Sequence, residues 1–274
     1  MSAEPLGPAA VADLLARYDA HLRAYVPDPL PDGARVERDG PLVRFVGLDN
    51  QGFVTYRDLG GLDGDALDEL IARQRDYFAA RGEGVEWKLH GHDLPASLPD
   101  RLVAAGFEPA DRETVVVGLA APLARADGTP PDGVRLREVD SRADLARIAE
   151  LESRVWGADR SWQAEALRKE IMADPDAITV VLAEAGGEVV SAGWVRYVTG
   201  TGFATLWGGS TLAGWRGRGI YRAILARRAR LAAARGYRFL QVDASDDSRP
   251  ILQRLGFVAL TTTTPYVWTS MMSG

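Results

Sequence analysis

Between Phe203 and Arg235 the chain passes from one periodicity to another within a few residues, and that change limits the folds open to it. Phe203–Thr211 is rich in β-forming residues. Arg222–Arg235 reads as a long amphipathic helix, with Ile220, Ile224 and Leu231 at helical spacing. Between them lies Arg216-Gly217-Arg218-Gly219. Glycines there let successive backbone N–H groups converge, and the first turn of a helix leaves its donors unsatisfied. The helix dipole and the arginines add positive potential, so the geometry suits a pyrophosphate. A Gly-Arg-Gly turn alone is also an ordinary surface turn, so its setting has to decide.

Two nucleotide motifs fail on detail. A dinucleotide turn would use Gly217-x-Gly219 with Asp243 as the ribose-binding acid, but its third glycine falls at Arg222. Too little chain then remains for a doubly wound sheet. A Walker loop needs a Gly-Lys-Ser/Thr ending, which the chain lacks.

Downstream, Phe239-Leu-Gln-Val-Asp243 reads as the next strand, and Pro250-Ile-Leu-Gln-Arg-Leu-Gly-Phe257 as a short helix ending in Leu-Gly-Phe. In order and spacing these elements, over Gly133–Trp268, resemble the GNAT (Gcn5-related) N-acetyltransferases. The family's acetyl-CoA signature, Gln/Arg-x-x-Gly-x-Gly/Ala, begins here at Arg216 and departs at its last position, Tyr221. The resemblance implies an α/β fold with a mixed sheet and acetyl-CoA as cosubstrate, without a metal. It places the pyrophosphate on Arg216, Gly217, Arg218, Gly219, Ile220, Tyr221 and Arg222. It also gives Ser210, Thr211 and Leu212 the backbone groups that polarise the thioester and pair with pantetheine. Ser245 and Ser248 would reach the pantetheine arm, although Ser-Asp-Asp-Ser is equally a plain helix N-terminus.

The Pro/Gly-rich run Ala126–Gly133 divides the chain near its middle. After it come a strand at Val134–Val139, a helix capped by Ser141 and ending about Trp156, and a second helix at Trp162–Met172. Ile178–Ala183 and Val189–Val198 form a hairpin around Gly186-Gly187, and Phe203–Thr211 is the next antiparallel strand. The first half repeats this plan. Ala79-Ala-Arg-Gly82, Val85–Leu89 and Leu98–Phe107 match Ala233-Ala-Arg-Gly236, Phe239–Val242 and Ile251–Phe257. Where the second copy has its arginine-glycine turn, the first has Gly60-Gly-Leu-Asp-Gly-Asp-Ala-Leu-Asp68. Asp63, Asp65 and Asp68 there cap a helix well and repel a pyrophosphate. The expectation is two tandem GNAT-like domains, residues 1–126 without CoA binding and 133–274 with it.

Direct acetyl transfer needs the reactants held in line, a proton acceptor for the amine and a proton for the departing thiolate. The resemblance puts the family's usual tyrosine at Leu252 and its glutamate at Gln241, and neither side chain can do that chemistry. Tyr266, Asp243 and Asp246 remain as catalytic candidates; strand packing for the tyrosine and capping for the aspartates are the competing readings. His90-Gly91-His92 lacks the second cluster a metal site requires. Arg227, Arg228 and Arg230 read mainly as a solvated helix face, with contact to the CoA 3′-phosphate as the alternative, and Trp156, Trp162 and Trp207 as core residues, with lining of the acceptor pocket as theirs.

Composition sets the outer limits. A charge of −6 over 274 residues argues against nucleic acid as the main partner. Absence of cysteine excludes disulfides and thiol catalysis. There is no apolar run of membrane-spanning length, and the start, MSAEPLGPAAV, lacks a secretory pattern, so a cytoplasmic location with no membrane partner is expected. Lys88 and Lys169 are the only lysines, which points to a GC-rich bacterial genome. The expected activity is acetyl transfer to the primary amine of a small molecule by a monomer or homodimer. A non-catalytic acyl-CoA-binding module and a protein Nα- or Lys-acetyltransferase are the alternatives.

Overall fold

A computed structural model describes residues 7–30, 32–48 and 51–270. In chain order the elements are α1 (Pro8–His21), β1 (Arg35–Asp39), β2 (Leu42–Leu48), β3 (Gln51–Tyr56), α2 (Gly64–Ala79), β4 (Gly84–His90), α3 (Leu98–Ala104), β5 (Glu108–Pro109) and β6 (Glu113–Leu119). There follow α4 (Ala120–Arg125), β7 (Val134–Val139), α5 (Arg142–Trp156), α6 (Trp162–Ala173), β8 (Ile178–Ala185), β9 (Glu188–Val198) and β10 (Phe203–Thr211). The last elements are α7 (Ile220–Ala234), β11 (Phe239–Ala244), α8 (Arg249–Arg254) and β12 (Val258–Trp268). They form two compact units. The first comprises Met1–Val116, Asp243–Ile251 and Val258–Gly274, the second Val117–Val242 and Leu252–Phe257.

In the first unit the strand order is β1-β2-β3-β4-β12, with β5 also on β12. β3 and β4 run parallel, joined by α2, and the other pairs are antiparallel. Strand alternation sends Val85, Trp87 and Leu89 to one face of β4. They meet Leu67, Leu70, Ile71 and Phe78 of α2 and Leu98 and Leu102 of α3 in one apolar cluster. Asp63 caps α2, its carboxylate accepting from Gly64 N–H at 2.7 Å.

The second unit has the order β11-β10-β9-β8-β7, with β10 and β11 parallel and the rest antiparallel. Ser141 caps α5 as expected, accepting from Asp144 N–H at 3.2 Å. Leu145, Ile148 and Leu151 of α5 and Ile220 and Ile224 of α7 join the apolar side chains of β8 and β9. Thus β10–α7–β11–α8 repeats β3–α2–β4–α3, including the parallel pair on each side of the long helix.

The compact units and the linker at 126–133 do not divide the chain in the same way. β12 pairs with β4 and β5 and so counts with the first unit, while α4 packs on α7 in the second. The linker follows α7 because Arg230 donates to Ala124 O at 3.0 Å and Ala126 O at 3.1 Å.

Gly52 of β3 shows how closely the first core is packed, since a Cβ there would lie 1.9 Å from the Phe78 ring. Gly52→Ala must displace a fully buried aromatic. Urea titration is expected to show a loss of about 1–3 kcal/mol, the usual range for overpacking.

Candidate functional site

In the second unit, β10 and β11 are in register only from Phe203↔Phe239 to Thr205↔Gln241. β10 continues to Thr211 along β9, with a bulge between Gly208 and Ser210. Leu212 N–H donates to Val190 O at 3.0 Å, so it is committed to the β9 side. Antiparallel alternation turns the N–H of Thr211 to the opposite edge. Of the three residues expected to present backbone groups, Thr211 therefore has its donor on the side away from β9. Its carbonyl accepts from Arg216 Nε at 3.1 Å, and Ser191 Oγ holds Ser210 O at 2.7 Å.

The bulge has an unusual support. Arg228, expected on a solvated face, is 2% exposed and donates to Trp207 O at 3.0 Å and Trp194 O at 3.2 Å. Burial lowers its pKa to about 10, so it stays charged at neutral pH. Glycines make its room, because a Cβ on Gly193 would lie 2.9 Å from the guanidinium. The neighbouring arginines are engaged as well, Arg227 with Glu138 and Arg230 with the carbonyls after α4.

After β10 a short 3-10 turn, Ala213–Trp215, leads through Arg216 and Gly217 to Gly219, which caps α7 with φ +85°. That conformation favours glycine. No side chain caps the helix, and its first turn holds no acid. Arg216, Arg218 and Arg222 are exposed, and Arg218 lies over the Trp215 ring at 4.7 Å. Tyr221 packs toward β10, where a Cβ on Gly209 would be 3.2 Å from its ring. These groups fit a pyrophosphate: open backbone donors, a favourable dipole and three cations. The matching helix start in the first unit does not. Asp63 caps it, Asp65 is in its first turn, and Arg101 bridges Asp63 and Asp68. Beside this start lies a cavity of about 790 Å³ lined by Arg23, Tyr56, Gly60, Asp63, His92 and Asp93.

Asp243, Asp246, Ser245, Ser248 and Tyr266 are placed in the first unit. Asp243 pairs with Lys88. Strand alternation puts Lys88 and Glu86 on the face of β4 opposite Trp87. Burial opposes the charge on Lys88, but Asp243, Glu86 and Glu113 together raise its pKa. Glu113, at the start of β6, belongs to the same cluster. Burial, then Asp243, Glu86 and Asp111, raise its carboxyl to about 7, against the pull of Lys88. No local pattern marks this residue, because its neighbours come from distant strands.

Tyr266 is 7% exposed and packs with Trp87 and Phe107 in the apolar cluster of the first unit, where burial and then Asp100 raise its pKa. This is a core position. Asp246 is exposed and pairs with Arg249 at 3.4 Å, and Ser248 N–H donates to Ser245 Oγ at 3.3 Å as a helix-start turn. The His-x-His pair is structural. His90 Nε2 and Tyr18 Oη lie 3.0 Å apart, and burial, then Arg23, Lys88 and His92, lower its pKa to about 2. His92 Nδ1 is 2.8 Å from Thr261 Oγ1. Among the described residues no three His, Asp or Glu side chains gather to hold a metal. No helix among them is long and apolar enough to cross a membrane.

Leu252 is fully buried and Gln241 lies on β11 opposite Thr205, so the family's usual acid and base positions hold packing and strand residues. Three tryptophans expected in the core are instead open: Trp156 is 54%, Trp162 58% and Trp207 45% exposed.

Comparison with known proteins agrees with this architecture. Residues 145–257 match the model of the acetyltransferase (GNAT) family. A GCN5-related N-acetyltransferase from Kribbella flavida superposes with a TM-score of 0.65 at 16% identity, covering 97% of this chain and 96% of that one. A tandem GNAT protein from the clavulanic acid biosynthesis pathway gives 0.64 at 15% identity, with coverage of 97% and 96%. A GCN5-related N-acetyltransferase from Sphaerobacter thermophilus gives 0.58 at 16% identity, covering 95% and 91%. A search of curated sequences finds no match. Residues 145–257 thus match the GNAT domain, in a chain with the tandem GNAT fold.

The Glu113 cluster makes stability depend on pH. A carboxyl with a raised folded-state pKa favours folding below its unfolded value of 4.5, and that contribution is lost as pH rises through about 7. Glu113→Gln removes the titration. In urea melts, the variant's stability relative to wild type is expected to rise between pH 5 and pH 8. A pH-independent difference would show that Glu113 titrates normally.

Proposed function

We propose that this protein transfers an acetyl group from acetyl-CoA to a primary amine of a small molecule, with only its C-terminal half, residues 133–274, binding CoA. The observation that carries this reading is the contrast between two homologous helix starts. At Gly219 the first turn is open, free of acids and flanked by Arg216, Arg218 and Arg222, while at Asp63 the same place is capped and acidic. Ser210 to Leu212 flank the reacting end, and Thr211 N–H is the donor assigned to the thioester oxygen. A hydrogen-bond donor best stabilises the negative charge that develops on the thioester oxygen when it is fixed before reaction.

The chemistry is a single displacement. The amine nitrogen bonds to the thioester carbon, the carbon–sulfur bond breaks, the amine loses a proton, and the thiolate gains one. Asp243 and Asp246 stand as proton acceptors, directly or through water. Tyr266, buried in a core, is the weakest of the three catalytic candidates. Ser245 and Ser248 are kept as contacts for the pantetheine arm.

Buried Leu252 and strand-bound Gln241 favour one other reading, a module that binds acyl-CoA without turning it over. Free-thiol release from acetyl-CoA across a panel of primary amines, with the acetylated product confirmed by mass, separates the two. Thiol release is expected with at least one amine, and binding without release would support the module.

The CoA assignment has its own check. Calorimetry is expected to give a single CoA site per chain. Gly219→Val forces a β-branched residue into a left-handed conformation and puts its side chain where the pyrophosphate would approach. It is expected to weaken CoA binding by about tenfold or more, a loss near 1.4 kcal/mol. Unchanged affinity in a folded variant would remove the pyrophosphate from this loop.

A further inference from the structure

Glu152 is a carboxylate that the fold alone does not explain. It lies on the face of α5 that packs toward the sheet and is 2% exposed. Trp156, one turn later, donates from Nε1 to Glu152 Oε2 at 3.0 Å and also lies 3.2 Å from Ser210 Oγ. Glu152 Oε1 is buried with no hydrogen-bond partner. The nearby cation, Arg160, stacks on the Trp156 ring, 4.9 Å from its centroid, and makes no hydrogen bond to that oxygen. All of these residues belong to the second unit.

An acceptor-only group with an unused oxygen, held out of water, is destabilising unless a donor meets it. A leucine would fill the position at no such cost. The group that best completes the site is a compact cation with several N–H donors. A primary ammonium has three, and Glu152 Oε1 and Ser210 Oγ both have lone pairs for it. The exposed indole of Trp156 adds an aromatic face, which attracts cations by its quadrupole. Ser210 also precedes Thr211, so these groups adjoin the strand assigned to the thioester.

We propose that Glu152, Ser210 and Trp156 form the subsite that selects a cationic amine as acceptor. Glu152 takes the ammonium before transfer, and Ser210 orients it. The residue determines specificity; proton removal is left to other groups. This inference rests on the acetyltransferase reading, because it names the acceptor class of that same site.

The test is steady-state kinetics of wild type, Glu152→Gln and Ser210→Ala, using acetyl-CoA and the best amine from a panel that includes 1,4-diaminobutane and glucosamine. Glu152→Gln keeps an oxygen for the Trp156 N–H but loses the charge. KM for the amine is expected to rise roughly 10- to 100-fold, the range for a hydrogen bond to a charged group. CoA affinity by calorimetry is expected to stay within about twofold. Ser210→Ala, which removes one atom, is expected to raise KM for the amine severalfold, and it keeps the proposal testable if the Gln variant does not fold. An unchanged KM in either folded variant, with wild type active, would overturn the subsite and leave the acetyltransferase reading intact. A wild type that binds acetyl-CoA and releases no thiol with any amine would overturn both.

Discussion

The buried guanidinium of Arg228 is the interaction on which the second unit's site depends. A charge taken out of water costs several kcal/mol unless its hydrogen bonds are made in place. Here the compensation comes from Trp194 O and Trp207 O, one on each of two neighbouring strands. The side chain reaches them because Gly193 has no side chain at that point, and Gly208 in turn leaves room for Trp194. At Gly208 a Cβ would lie 2.5 Å from the Trp194 ring. The bulge that follows resets the direction of β10, so that Leu212 N–H meets Val190 and Thr211 N–H takes the other edge. Without the bulge the same residues would continue a regular ladder and present a different set of donors.

The two units build the same kind of helix start with opposite charge. Both have a strand, a glycine-containing turn, a long helix and a parallel return strand. In the second, glycine caps the helix and arginines surround it. In the first, Asp63 supplies the cap and Arg101 is drawn in to balance Asp63 and Asp68. Capping by a carboxylate is stabilising, and it uses the same backbone donors that would hold a phosphate. In the first unit those donors and charges are used to close the helix terminus.

Much of this was legible from local pattern. The hairpin at Gly186-Gly187, the Ser141 cap and the strand–helix–strand order of β10–α7–β11 all follow from residue order, since strand and helix periods and caps are set within a few neighbours. The repeat was readable for the same reason. Trp156, Trp162 and Trp207 were misread because burial depends on what packs opposite a residue. Hydrophobicity favours burial without assigning a partner. Arg228 was misread in the opposite sense: its helical position looks solvated until the glycine gap of the sheet beneath it is known.

Sequence alone determined the strand–turn–helix around Gly219, the contrast in charge between the two helix starts, and the absence of usable side chains at Leu252 and Gln241. Each rests on residue identity and short spacing. Tertiary structure alone decided that Trp156 meets Ser210, that Glu113 shares a field with Asp243 and Lys88, and that β12 pairs with β4. Those partners lie tens to hundreds of residues apart. Their energies come from desolvation and charge, which exist only once the fold has removed the intervening water.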